Sequence, residues 1–123
     1  MTPFAWLCIA HFVGDWLLQN DWMAREKRGR WWSAACLTHC GVYTLTLTAA
    51  FVAVSSTWRE NAVIPTALFA AVIFLSHWLL DGFNIPVWWN RLIGQTDTDL
   101  VRIVVDQTMH IFVIAVLVEL LIG

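Results

Sequence analysis

Four apolar stretches, Pro3 to Gln19, Ser33 to Ser55, Val63 to Phe83 and Leu100 to Ile122, occupy most of the sequence. Each approaches the roughly 20 residues with which a helix crosses a bilayer, the first being short and the others comfortable. Hydrophobic residues make up 59% of the 123 and charged residues only 13%, a balance of membrane proteins rather than of soluble domains. The expected architecture is all-α: a single transmembrane domain over 1–123, built as an integral membrane four-helix bundle with helices at about 3–19, 33–55, 63–83 and 100–122.

The connecting segments set the orientation. Arg25, Lys27, Arg28 and Arg30 fall in "NDWMAREKRGRWW", while Arg91 lies within "NIPVWWNRLIGQTDTD" and Arg102 just beyond it. Basic residues in short loops stay cytoplasmic, so both connections are expected inside. Both termini then face the periplasm or exterior of an inner (cytoplasmic) membrane. Trp31, Trp32, Trp88 and Trp89 fall at the inner interface, with Trp6 and Trp58 near the outer one. The first connection is expected to form a short interfacial helix whose basic residues meet anionic headgroups. The third reads as a loop, with turn signals at Asn84 to Pro86 and at Gly94. "MTPFAWLCIA" lacks the basic start of a cleaved signal and reads as a retained helix.

Two classes are excluded early. Cys8, Cys36 and Cys40 are odd in number and show no CxxC or CxxCH spacing, against a disulfide framework and against covalent haem. The net charge of −2 comes without a basic face, so no nucleic-acid partner is expected.

The polar residues inside the apolar stretches carry the chemistry. His11 and Asp15, His77 and Asp81, and Asp106 and His110 each stand four residues apart, and His39 lies in "CLTHCG". On a helix, residues at that spacing share a face, roughly 40° apart about the axis. Counted from the cytoplasmic ends, all seven fall in the cytoplasmic half, within a depth on the order of 10 Å. A central Asp costs about 2.5–3.5 kcal/mol on insertion scales, so seven unpaired groups would jeopardise insertion.

A bound divalent cation would offset much of that cost. Imidazole with carboxylate suits a divalent transition metal, Zn first and Mn, Fe or Co after it, and His11, Asp15, His39, His77, Asp81, Asp106 and His110 are more candidates than one tetrahedral ion uses. One ion with outer carboxylates and two bridged ions both fit. A lone membrane histidine is more often a hydrogen-bonded packing residue. Three pairs and a fourth His at matched depth are a different matter. Haem between two His is disfavoured, because carboxylates one turn from the ligands gain nothing there. Ser76, Thr38 and Gln107 are candidates to orient ligands, with interhelical hydrogen bonding as the plain alternative.

The segments "AHFVGDWLLQNDWMAREK", "LTHCGVY", "SHWLLDGFN" and "DQTMHI" together resemble the domain of unknown function 3307 family of small bacterial and phage membrane proteins. The resemblance covers essentially the whole chain and picks out His11, Asp15, Gln19, Asp21, Trp22, Met23, Lys27, His39, His77, Asp81, Asp106, Gln107 and His110. More distantly the pattern is similar to membrane-bound metal-dependent hydrolases, which implies hydrolysis by analogy alone.

The functional expectation is a metal-dependent hydrolase acting at the cytoplasmic face on a lipid-linked or amphiphilic ester or phosphoester. Asp15, Asp81 or Asp106, where not a ligand, would serve as general base. The basic residues of the first connection would attract an anionic group. The alternatives are a metal-ion or proton transporter, which needs a homo-oligomer because the polar residues stop halfway, and a non-enzymatic adaptor binding a partner through "QNDWMAREKRGR".

Overall fold

The computed structural model describes residues 1–55, 62–95 and 98–123 and is all-helical over them. The helices are α1 (Pro3–Phe12), continued by a π-helical turn over Val13–Leu17, then α2 (Asp21–Glu26), α3 (Ala34–Val54), α4 (Val63–Gly82), α5 (Ile85–Ile93) and α6 (Asp99–Leu121). Three of them, α3, α4 and α6, are long and apolar enough to cross a membrane. Trp58, expected near the outer interface, lies outside the described residues.

Local chemistry sets the helix starts. The side chains of Thr2, Asn20, Ser33 and Thr98 accept from the backbone N–H of Ala5, Met23, Cys36 and Val101, each three residues on, as N-caps do. Pro3 occupies a first-turn position, where a missing N–H costs nothing. Asn84, at φ 55, breaks the chain direction between α4 and α5, and Gly94, at φ 71, ends α5 in the left-handed conformation that favours glycine.

α1 packs on α3 and α6, α3 on α4, and α4 on α6. Their shared interior has two kinds of lining. One part is apolar, with Leu7, Leu47, Phe51, Phe69, Ile73 and Ile114 buried together and the rings of Phe51 and Phe69 stacked 4.1 Å apart. The other holds His11, Asp15, His39, His77, Asp81, Asp106 and His110, all buried. Outside, Leu45, Leu68, Leu75, Phe112 and Leu120 stand exposed, as lipid-facing positions would.

Two connections differ from the sequence reading. Residues 85–93, read as loop, form α5, with Trp88 and Leu92 66% and 80% exposed while Val87 and Asn90 are buried. This is an amphipathic helix suited to an interface. The first connection does contain the expected short helix, α2, but Lys27 does not point to headgroups: it is 4% exposed and turned into the polar interior, toward Asp81 and Asp15.

Candidate metal centre

Asp15, His39, His77 and Asp81 converge from the π turn, α3 and α4, each with a ligand-capable atom within 4.8 Å of the others. A second group, Asp81, Asp106 and His110, meets the same limit, so Asp81 belongs to both. The π turn delivers Asp15. Its widened coil aims the carboxylate at α3 and α4, so His11 and Asp15 do not act as the simple one-face pair their spacing implied.

The separations fit coordination. Bonds of about 2.0–2.2 Å at tetrahedral angles place ligand atoms about 3.4 Å apart. His39 Nε2 lies 3.1 Å from Asp15 Oδ1 and 3.5 Å from Asp81 Oδ2, and His77 Nε2 lies 3.8 Å and 3.4 Å from the same two oxygens. Both ring nitrogens of His77 are buried without a hydrogen-bond partner, and so is Nε2 of His110. Buried polar atoms are nearly always partnered, so His77 Nε2 and His110 Nε2, which stand 3.4 Å and 3.6 Å from Asp81 without a hydrogen bond, are placed to give a lone pair to a bound ion.

In the second group, His110 Nδ1 donates to the Asp106 carbonyl at 2.7 Å, and Nε2 stands 3.6 Å from Asp81 Oδ1. A backbone carbonyl on one ring nitrogen fixes the tautomer and frees the other nitrogen as a ligand. Asp81 turns Oδ2 toward His39 and His77 and Oδ1 toward His110.

Beside these groups runs a chain of hydrogen bonds that a neutral His11 carrying its proton on Nε2 completes. The Tyr43 hydroxyl donates to His11 Nδ1 at 2.7 Å, and His11 Nε2–H donates to Gln107 Oε1 at 2.7 Å. The Gln107 amide then donates to Asp15 Oδ2 at 2.9 Å and to Asp106 Oδ2 at 3.0 Å. His11, with both nitrogens engaged, stands outside the two groups and orients carboxylates through Gln107. Gln107, a candidate for orienting ligands, hydrogen-bonds both Asp15 and Asp106. Ser76 instead bonds the Ile73 carbonyl of its own helix.

Two residues at the centre were not singled out from spacing. Tyr43 also stacks on His77 with ring centroids 3.8 Å apart; it stands four residues beyond His39, and that signal was available. Lys27 Nζ lies 2.8 Å from Asp81 Oδ2, 3.4 Å from Asp15 Oδ1 and 3.2 Å from His39 Nε2. Burial works against its charge, yet Asp81 and Asp15 more than offset that, and the ammonium pKa is held above its ordinary value. Arg28 approaches Asp106 more loosely, at 3.9 Å.

A cavity of about 320 Å³ opens against the centre, with Asp15, Lys27, Arg28, Asp106 and Gln107 in its wall. Cys36 and Cys40 are buried packers, and no cysteine joins either group among the described residues.

A bundle of helices with buried, converging His and Asp side chains defines the class as a membrane-type helical protein with a metal-competent interior. Over residues 4–123 the chain matches the family described as protein of unknown function, DUF3307, and it belongs to that family. No curated protein and no solved structure matches it.

Proposed function

We propose that this chain is an integral membrane, metal-dependent hydrolase, a four-helix bundle of α1, α3, α4 and α6, acting on a lipid-linked or amphiphilic ester or phosphoester at the cytoplasmic face of the inner membrane. The observation that carries the reading is the sharing of Asp81 between two ligand groups directly beside a polar cavity. Asp15, His39, His77 and Asp81 would hold one divalent ion, and Asp81, Asp106 and His110 a second. Zn fits this donor set first, with Mn, Fe and Co after it. Such ions supply a water activated near neutral pH and a Lewis acid for a carbonyl or phosphoryl oxygen.

The remaining steps belong to the protein. Gln107 holds Asp15 and Asp106 in register, and Asp106, facing the cavity, is placed to take a proton as general base if it is not needed as a ligand. The exposed faces of Trp88 and Leu92 on α5 favour an interfacial position, which would bring the cavity near the headgroup level. Transport is disfavoured by the apolar half of the interior, where Leu47, Phe51, Phe69 and Ile114 are fully buried. A homo-oligomer would have to supply the missing path.

The test is elemental analysis of detergent-purified protein with turnover assays on a panel of lipid phosphoesters and carboxylic esters. Bound transition metal with turnover that chelation abolishes is expected. Metal without turnover on any member would remove the hydrolase reading, and metal-free protein of unchanged stability would remove the centre itself.

A further inference from the structure

Lys27 is the only lysine in the sequence. Of the four side chains in the first ligand group its ammonium contacts three, through Asp81 Oδ2, Asp15 Oδ1 and His39 Nε2, at 2.8 Å, 3.4 Å and 3.2 Å. These atoms form one face of the ligand cluster, and the ammonium caps it. Every donor of a protonated lysine points outward from nitrogen, so Nζ cannot serve as a ligand while charged. An ion held by the same atoms at about 2.0–2.2 Å would lie about 3 Å from that ammonium, and two cations so close repel.

The displaced ammonium has somewhere to go. Lys27 borders the cavity of about 320 Å³ whose wall also holds Arg28 and Gln107. The lysine stem is four carbons long and flexible. It leaves from the C-cap of the six-residue α2, two positions before Gly29, which has open space around it and a φ of +71°.

We propose that Lys27 is a tethered cation that exchanges with a divalent ion at the centre and, once displaced, joins Arg28 in the cavity as a receptor for a phosphoryl oxyanion. The proposal rests on the metal reading above and gives it a substrate class. While Lys27 is held on Asp81 and Asp15 and Arg28 leans toward Asp106, the carboxylates take up these cations and the wall offers an anion no free positive charge. With the carboxylate charge engaged by metal and Lys27 turned outward, the same wall becomes cationic. Ammonium and guanidinium together recognise phosphate oxygens through charge-assisted hydrogen bonds. The exchange moves an ammonium as an ammonium, and no bond is made or broken.

Because Lys27 is the sole side-chain amine, its exposure can be read in the unmodified chain. Detergent-purified protein is treated with an amine-reactive N-hydroxysuccinimide ester, and labelling of Lys27 is followed by mass spectrometry with the N-terminal amine as internal reference. Labelling is expected to be slow in chelator-treated protein and at least tenfold faster once Zn²⁺ is bound. Inorganic phosphate, or phosphatidate in mixed micelles, should then slow it again. Protection by phosphatidate alone marks a lipid headgroup as the source of the anion, and protection by both marks a phosphoryl group of either source.

Zn²⁺ bound with an unchanged labelling rate would overturn the exchange while leaving the metal centre standing. Failure to bind Zn²⁺ would overturn the centre itself and the exchange with it. Faster labelling without protection by either anion would overturn the receptor. As a second measure, Lys27→Met should bind Zn²⁺ at least tenfold tighter than the parent, and Lys27→Arg should not. A purely structural ion pair predicts the opposite for Lys27→Met: lower stability that Zn²⁺ does not restore.

Discussion

His11 Nε2 lies 2.7 Å from Gln107 Oε1, and through that one amide a histidine on α1 governs two carboxylates, Asp15 and Asp106, that serve different ligand groups. Replacing Gln107 by Leu keeps the bulk and strands three buried polar partners. At about 1–3 kcal/mol for each unsatisfied buried group, partly relieved by rearrangement, a total loss of about 2–4 kcal/mol is expected. Thermal melting in detergent measures it, and a loss below 1 kcal/mol would mean the relay is not held as described.

The same geometry separates His11 from His77 as metal partners. His11→Ala should still bind metal at saturation, with affinity lowered about 10–100-fold as on loss of an orienting group, since both of its nitrogens are taken by Tyr43 and Gln107. His77→Ala should lose the metal, because His77 Nε2 stands 3.4 Å from Asp81 Oδ2 and 3.8 Å from Asp15 Oδ1 without a hydrogen-bond partner. Elemental analysis of the two variants side by side decides between an orienting and a ligating His11.

Asp81 predicts stoichiometry. As the shared carboxylate, Asp81→Asn should remove metal from both groups, whereas Asp106→Asn should affect only the second. Asp15→Ala and Asp81→Ala should also be strongly non-additive in metal affinity, because either change disables a joint site. Equal metal contents in Asp81→Asn and Asp106→Asn would show that Asp81 does not bridge.

Gly82 sets the approach of the first connection to α4. A Cβ built on it would stand 3.0 Å from both Cα and Cβ of Trp31, and the former is backbone that cannot swing away. Gly82→Ala should cost about 1–3 kcal/mol, the range of overpacking. It should also disturb the neighbouring Asp81, so a fall in metal affinity should accompany the lower melting temperature.

The long helices and the buried His and Asp residues were legible because each has a local signal. The long helices, Ala34–Val54, Val63–Gly82 and Asp99–Leu121, begin and end within a residue or two of the limits set by hydropathy. The His and Asp residues announce themselves by the cost of putting them in lipid. Other features arise only in three dimensions. Nothing in "FVGDWL" marks the π turn that aims Asp15 at α3 and α4 rather than along the His11 face. In "AREKRGR" charge alone does not separate Lys27 from its neighbours, although the family resemblance picks it out, and the fold of α2 against α3 sends it alone inward. α5 was hidden by Pro86 and its short length, although Trp88, Trp89, Leu92 and Ile93 already formed an apolar stripe.

Orientation in the membrane is the last expectation, and the exchange at Lys27 depends on it for access to cytoplasmic metal and substrate. The basic residues Arg25, Arg28 and Arg30 are exposed beside the end of the interior that holds the ligand groups, and such charges are retained on the cytoplasmic side. Thr2, at the far end of α1, is exposed as well. With Cys8, Cys36 and Cys40 replaced by Ala or Ser, Arg30→Cys should react with a membrane-impermeant maleimide only after permeabilisation, and Thr2→Cys should react in intact cells. Labelling of Arg30→Cys in intact cells would invert the topology. It would place the cavity at the periplasmic surface, where the incoming ion and the phosphoryl ligand would have to come from outside the cell.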